Sequence, residues 1–327
     1  AGVNRRERRL LKREMGKFQK KMRGMSFPCL APGCKNSAIK SHSQQKEGQL
    51  RAIARQGMVY ALERNFYRSV RPDHVIGLTV ILTGIAEAST FPGFCSHHDK
   101  ELFSDLEDRP LTRNDPTQAL LLFLRGITYE YAQKRKGAIW LKWFLSAASG
   151  IIEAELIEEM AYFQKGMEGF VDFDGPFYLR AAFDTFKNNL DWLITEWEII
   201  PKNVMASCSC CFSPLRDDHV DYKLNHPGEP GPLVVFNLVP EENQTHIIIS
   251  WHEQDSKHTV WIREAIADRA SLEGLINECA IAESEDTCFS PDLWESIPEV
   301  VQNQVKHAMR KSEFRGSLKE LPVVIKV

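Results

Sequence analysis

Two short pairs of metal-type ligands lie 61 residues apart in this chain. Phe27-Pro28-Cys29-Leu30-Ala31-Pro32-Gly33-Cys34 sets two cysteines around a four-residue turn containing Pro-Gly. Such a turn brings two thiolates to one point, as a zinc knuckle does. Phe94-Cys95-Ser96-His97-His98-Asp99 supplies a second pair with C-x2-H spacing. Cys29, Cys34, Cys95 and His98 are therefore the expected ligands of a structural Zn2+, with His97 as the alternative to His98. Four converging donors are what a closed tetrahedral zinc site needs.

Between the pairs stands His42, in the segment Ala38–Ser43, which reads as a strand leaving the knuckle. After Cys95 the residues Leu102, Phe103 and Leu106 share a helical face, which places Asp99 in that helix's first turn. A closed zinc site would fix His42 near Asp99. An imidazole beside a carboxylate suits metal-assisted hydrolysis: the imidazole takes a proton from water, and the carboxylate holds a hard cation, Mg2+ or Mn2+, against a phosphate. His42 and Asp99 are the expected catalytic residues, Asp99 as ligand of the catalytic divalent cation.

The order of these residues resembles the zinc-bearing ββα-metal nucleases called HNH. Cys29 and Cys34 match that family's first ligand pair, Cys95 and His98 its second, and His42 its catalytic histidine. Ser41 stands where the acidic metal ligand usually lies, Asp99 where the final metal-binding histidine usually lies, and Ser89 or Thr90 falls near the family's asparagine. The resemblance covers about 75 of the 327 residues. It implies a DNA endonuclease or nickase of bacterial origin, acting in defence against phage or foreign DNA, with DNA and other defence-system proteins as partners. Two alternatives stay open: a non-catalytic zinc-containing nucleic-acid-binding or adaptor protein, and cleavage of RNA.

Charge is distributed unevenly. Residues 1–23 hold ten basic and two acidic residues, +8, which leaves −11 for the rest of a chain whose net charge is −3. Leu10, Leu11, Met15 and Phe18 fall roughly on one face, so a basic amphipathic helix is expected. Arg5, Arg6, Arg9, Arg13, Lys17, Lys20 and Lys21 are its candidate phosphate contacts, able to hold a duplex without reading bases. Packing of the apolar stripe on an acidic domain is the plainer use. Arg51, Arg55, Arg64, Arg68 and Arg71 add positive charge near the site.

The elements that must position these groups follow from patterning. The fold class expected is α+β: the N-terminal basic helix, a zinc-bound ββα-metal (HNH-like) unit, a central helical region, and a C-terminal part with a small antiparallel sheet. The divisions are 1–24, 25–112, 113–200 and 201–327, the last two able to form one domain. Asn114-Asp115-Pro116 signals a helix start with proline just inside. Gly150–Tyr162 and Pro176–Trp197 continue helical spacing. Val234–Val239 and His246–Trp251 read as paired strands across the turn Pro240–Gln244, and helices are expected at Ser271–Cys279 and Pro291–Lys311. In the insert, Gly57 either caps a helix begun at Leu50, with strands at Met58–Leu62 and Val75–Leu82, or lies within a longer helix. Cys208, Cys210, Cys211, Cys279 and Cys288 read as buried thiols, Trp140, Trp143, Trp192 and Trp197 as helical core, and Trp251, His252 and His258 as surface. The longest uncharged apolar run, Val75–Ala86, is too short to span a bilayer. The polar, basic start has no secretory h-region, so a reducing cytoplasm is the expected location.

Overall fold

The computed structural model describes residues 5–63, 79–151, 154–185, 190–215, 219–226, 228–311 and 321–327. Helix α1 (Arg5–Arg23) leads into the cysteine knuckle and strand β1 (Lys40–His42). A helical turn at Lys46–Ile53 precedes β2 (Met58–Leu62) and β3 (Val80–Gly84), and the chain returns through β4 (Thr90–Pro92) to helix α2 (Ser96–Glu107). Helices α3 (Pro116–Ala148), α4 (Ala154–Gly169) and α5 (Gly175–Thr185) follow. The remainder runs β5 (Leu193–Ile200), β6 (Ala206–Phe212), α6 (His219–Asn225), β7 (Val234–Pro240), β8 (Thr245–His252), α7 (Val260–Ala267), α8 (Arg269–Asn277), β9 (Thr287–Phe289), α9 (Pro291–Ser296) and α10 (Glu299–Lys311).

The architecture is mixed helix and sheet. β1 and β4 form a two-stranded antiparallel ribbon, with His42 opposite Thr90. The other strands form a seven-stranded antiparallel sheet in the order β3-β2-β9-β6-β7-β8-β5, larger than the small sheet expected. Two of its strands, β2 and β3, come from the insert between β1 and β4. Residues 25–112 therefore do not close on themselves: Tyr60 and Ala61 pair with Phe289 and Cys288. The insert needed a partner for the buried side chains of β2, and β9 supplies it.

Gly57 settles the ambiguity in the insert. Its φ of +75° is a left-handed conformation that a helix interior forbids. The helical turn stops at Ile53, and Arg55 and Met58 bridge the reversal into β2. β3 begins at Val80, and residues 75–78 of the expected strand lie outside the described residues.

Asp115 caps α3 as its sequence foretells, its Oδ1 accepting from the backbone N–H groups of Thr117 (2.9 Å) and Gln118 (3.0 Å), with Pro116 in the first turn. The N-terminal half of α3 lies on one face of the sheet, against Cys211, Val235, Val239 and Ile248. Gly126 permits the close approach: a Cβ there would fall 2.5 Å from Val235 Cγ1. The C-terminal half carries α1, whose Phe18 stacks on Trp143 at 4.2 Å. The opposite sheet face packs on α7 through α10 around Phe236, Ile249, Trp251, Ile276, Trp294 and Val305.

β7 and β8 pair as expected, Val239 opposite His246. Pro176–Trp197 is corrected: α5 ends at Thr185, and Leu193–Ile200 is an edge strand paired with β8. Thr195, Glu196 and Glu198 break the apolar run at strand spacing there, which fits a half-exposed edge rather than a helix. Trp197 therefore lies in a strand, and Trp192 just before it, not in helical core. Trp251 is fully buried rather than superficial. The expected helix Pro291–Lys311 is two, α9 and α10, interrupted at Ile297-Pro298. Among the described residues no helix is long and apolar enough to cross a membrane.

Candidate metal centre and its neighbouring groups

The knuckle is built by backbone. The Cys29 N–H donates to the Asn36 carbonyl (2.9 Å) and the Cys34 N–H to the Ala31 carbonyl (3.1 Å), closing the turn. Gly33, at φ +74°, takes the left-handed corner. The Leu30 N–H donates to the Gly93 carbonyl (3.0 Å), and the Ile39 N–H to the Phe94 carbonyl (2.7 Å), so both flanks of the knuckle are tied to the segment entering α2. Cys95 is the N-cap of α2, and His98 sits in its first turn.

The four ligand atoms converge. His98 Nδ1 lies 3.5 Å from Cys29 Sγ and 3.3 Å from Cys95 Sγ, and Cys34 Sγ lies 3.9 Å from Cys95 Sγ. All four atoms fall within 4.8 Å of one another. Zn–S bonds of about 2.3 Å at tetrahedral angles require S···S edges of about 3.8 Å. The donor set fits a metal such as zinc. The Cys95 thiol is pulled down to about 6, first by the backbone N–H of His98, while burial pushes Cys29 up to about 11. His97 is not part of the quartet; it is exposed, with Nε2 3.1 Å from Glu101 Oε2.

β1 carries His42, opposite Thr90 of the ribbon strand that leads to Cys95. Its Nε2 lies 3.3 Å from the Ile85 carbonyl oxygen. A carbonyl only accepts, so Nε2 carries the hydrogen and Nδ1 keeps the lone pair. Burial lowers the His42 pKa, Arg125 and Lys46 lower it further, and Asp99 acts in the opposite sense. Burial is the largest of these effects, and the ring is neutral near pH 7. Ser41, by strand alternation, turns to the other side, where its hydroxyl accepts from the Phe94 N–H (3.0 Å). It is no metal ligand. Among the described residues no group of three or more such ligands includes His42 or Asp99. Ser89 accepts at its backbone carbonyl from both the N–H and the hydroxyl of Ser43 (2.9 Å each).

The residue after His42 is clamped from afar. The Ser43 hydroxyl also meets the carboxylate of Asp286, and Gln44 Nε2 meets the Asp286 carbonyl. Asp286 is buried in the loop entering β9, so the large sheet holds the strand that carries the imidazole.

Two groups escaped the sequence reading. Glu107, expected to be a surface charge, accepts from Arg125 Nη2 at 2.9 Å, and Arg125 is only 3% exposed. The signal was available: Arg125 is the one charge in Leu120–Tyr129, and a lone charge in an apolar helix needs a partner.

The remaining candidates divide. Arg6, Arg9, Arg13, Lys17, Lys20 and Lys21 are exposed along α1, with Arg13 and Lys17 bonded to Glu14 at 3.2 and 2.7 Å; the side chain of Arg5 lies outside the described ones. Met15 and Phe18 make the buried stripe, while Leu10 is exposed. Arg55 is bonded to Asp292 (2.8 Å) and Glu295 (2.6 Å), and so is committed to α9 rather than to phosphate. Arg64, Arg68 and Arg71 lie outside the described residues.

Comparison of the chain with family models, curated proteins and solved structures finds no match.

Proposed function

We propose that the protein is a metal-dependent DNA endonuclease or nickase of the ββα-metal kind. One observation carries this reading: a four-ligand zinc-type centre at the base of a ββα unit sets His42, with its Nδ1 lone pair free of the Ile85 bond, in the electrostatic range of Asp99. Cys29, Cys34, Cys95 and His98 would hold structural Zn2+, and Asp99 the Mg2+ or Mn2+. A divalent cation there would neutralise charge on the scissile phosphate. His42 takes the proton from the attacking water as its oxygen bonds phosphorus and the ester P–O bond breaks. The exposed basic residues of α1 neutralise flanking backbone phosphates without base readout.

Supercoiled plasmid incubated with Mg2+ or Mn2+ should be nicked or linearised. His42→Ala should lose about 100-fold or more in rate, the usual scale of a lost general base, with its zinc content unchanged. A parallel RNA substrate separates the nucleic acids. One observation favours the non-catalytic adaptor instead: Ser41 occupies the usual acidic position and faces inward. Duplex binding with no cleavage under either cation, and no effect of His42→Ala, would establish that reading.

A further inference from the structure

Arg125 is a buried charge whose needs are only partly met. It rises from α3 beneath α2, its guanidinium carbon 4.2 Å from the centre of the Phe103 ring. Asp99, Phe103 and Glu107 recur at four-residue spacing, so they share the face of α2 above it. Nη2 donates to Glu107 Oε1 at 2.9 Å, while Nε, also buried, has no hydrogen-bond partner. Nε and Nη2 form one edge of the guanidinium, the edge that takes a two-oxygen acceptor in a bidentate pair. Glu107 satisfies half of it. Removing a guanidinium from water costs several kcal/mol, and one monodentate carboxylate offsets only part of that cost.

The surroundings say what would complete the edge. Glu107 is 46% exposed at the last residue of α2, so water can solvate its carboxylate when it leaves Arg125. Gln45 Nε2 donates to the Glu107 carbonyl (3.4 Å), and Lys46 follows, paired with Glu47 at 3.0 Å, so the rim opposite α2 is polar. His42 and Asp99 both lie within electrostatic range of the guanidinium. An oxyanion with two oxygens at hydrogen-bonding separation would take Nε and Nη2 together and displace Glu107. We propose that Arg125 is the phosphate-binding residue of this site, engaging a phosphodiester of the nucleic acid through Nε and Nη2, with the Glu107 carboxylate as its resident stand-in.

This proposal rests on the nuclease reading, and its test is independent of turnover. The full zinc-loaded chain, without Mg2+ or Mn2+, is titrated with inorganic phosphate by calorimetry and thermal melting, and with a fluorescent DNA duplex by anisotropy. Glu107→Gln removes the competing charge and should bind phosphate roughly tenfold more tightly, the scale of one charge-assisted hydrogen bond. Arg125→Gln should lose the phosphate response and weaken the duplex about tenfold or more. If Arg125→Gln fails to fold, Glu107→Gln decides alone: its duplex and phosphate affinities must both rise. Unchanged or weaker phosphate binding in Glu107→Gln overturns the proposal. So does a change in phosphate binding without any change for the duplex, since the ligand would then be free phosphate. A wild-type protein that cuts plasmid but ignores phosphate sinks the role of Arg125 alone. One that binds phosphate through Arg125 but cuts nothing sinks only the nuclease.

Discussion

Cys95 begins helix α2 and Cys210 sits in the central strand β6; both are buried, and their surroundings treat the thiol in opposite ways. At Cys95 a backbone N–H, two further sulfurs and an imidazole nitrogen converge, and the thiolate is favoured. At Cys210 burial drives the pKa well up, with Cys208 and Cys279 as neighbours and the Sγ 3.7 Å from the Cys279 carbonyl. Sequence spacing explains the difference. A four-residue Pro-Gly turn gathers thiols, whereas a strand sends Cys210 and Cys211 to opposite faces. The contrast extends to what stabilises each region. The β1–β4 ribbon is three residues long on each side, too short for independent stability. The seven-stranded sheet buries a continuous apolar core on both faces.

The largest effect should come from the metal centre. Structural zinc contributes about 10–16 kcal/mol of apparent binding free energy in small zinc modules. Chelation of metal-loaded protein, or Cys95→Ser, should therefore abolish amide-exchange protection across residues 27–42 and 90–107, while β6, β7 and β8 stay protected. Equal loss in both regions would show that the ribbon and the sheet are stabilised as one unit. Next in size is the joint between them. Asp286→Ala leaves buried donors on Ser43 and Gln44 without this acceptor and should cost about 1–3 kcal/mol by urea unfolding, with the ribbon melting before the sheet. Cys210→Ala should cost about 1–2 kcal/mol as a small core deletion, leaving zinc content unaltered.

A gain rather than a loss sharpens the sheet side. Asp255 is buried in the segment after β8 and accepts from the Tyr178 hydroxyl at 2.7 Å, and desolvation raises its pKa from 3.8 to about 6. A raised folded-state pKa gives stability that is whole below pH 3.8 and lost as pH rises through 6. Asp255→Asn keeps the acceptor and drops the charge. It should gain on the wild type as pH rises from 3.8 to about 6, by about 3 kcal/mol, and hold that gain above, in melting followed across pH. A constant gap at every pH would show that Asp255 does not titrate there.

Local signals are legible in the sequence. Cys29, Cys34, Cys95 and His98 carry their geometry in their spacing, and Asp115-Pro116 and the β7–β8 hairpin in their turn chemistry. Long-range pairings left weaker traces. β2 finds β9 more than 200 residues later, and no periodicity announces a partner at that distance. The end of the expected helix Pro176–Trp197 falls in a strand, Leu193–Ile200, because apolar residues at mixed spacing satisfy both periods over a short window. Glu107 has the composition of any surface acid; only the position of Arg125 beneath it reveals its work.

The route of the backbone constrains how this molecule can be divided. The chain leaves the knuckle through β1, contributes β2 and β3 to the seven-stranded sheet, and only then returns to build β4 and α2. No single scission frees the ββα unit as a transplantable cassette, because its two halves are threaded through the neighbour. An excised 25–112 fragment would carry an orphaned hairpin whose β9 edge is missing. A mutation that loosens β9 would reach the imidazole on β1 through both the inserted hairpin and the Asp286 clamp, making the distant sheet an inherited partner of whatever chemistry that strand performs.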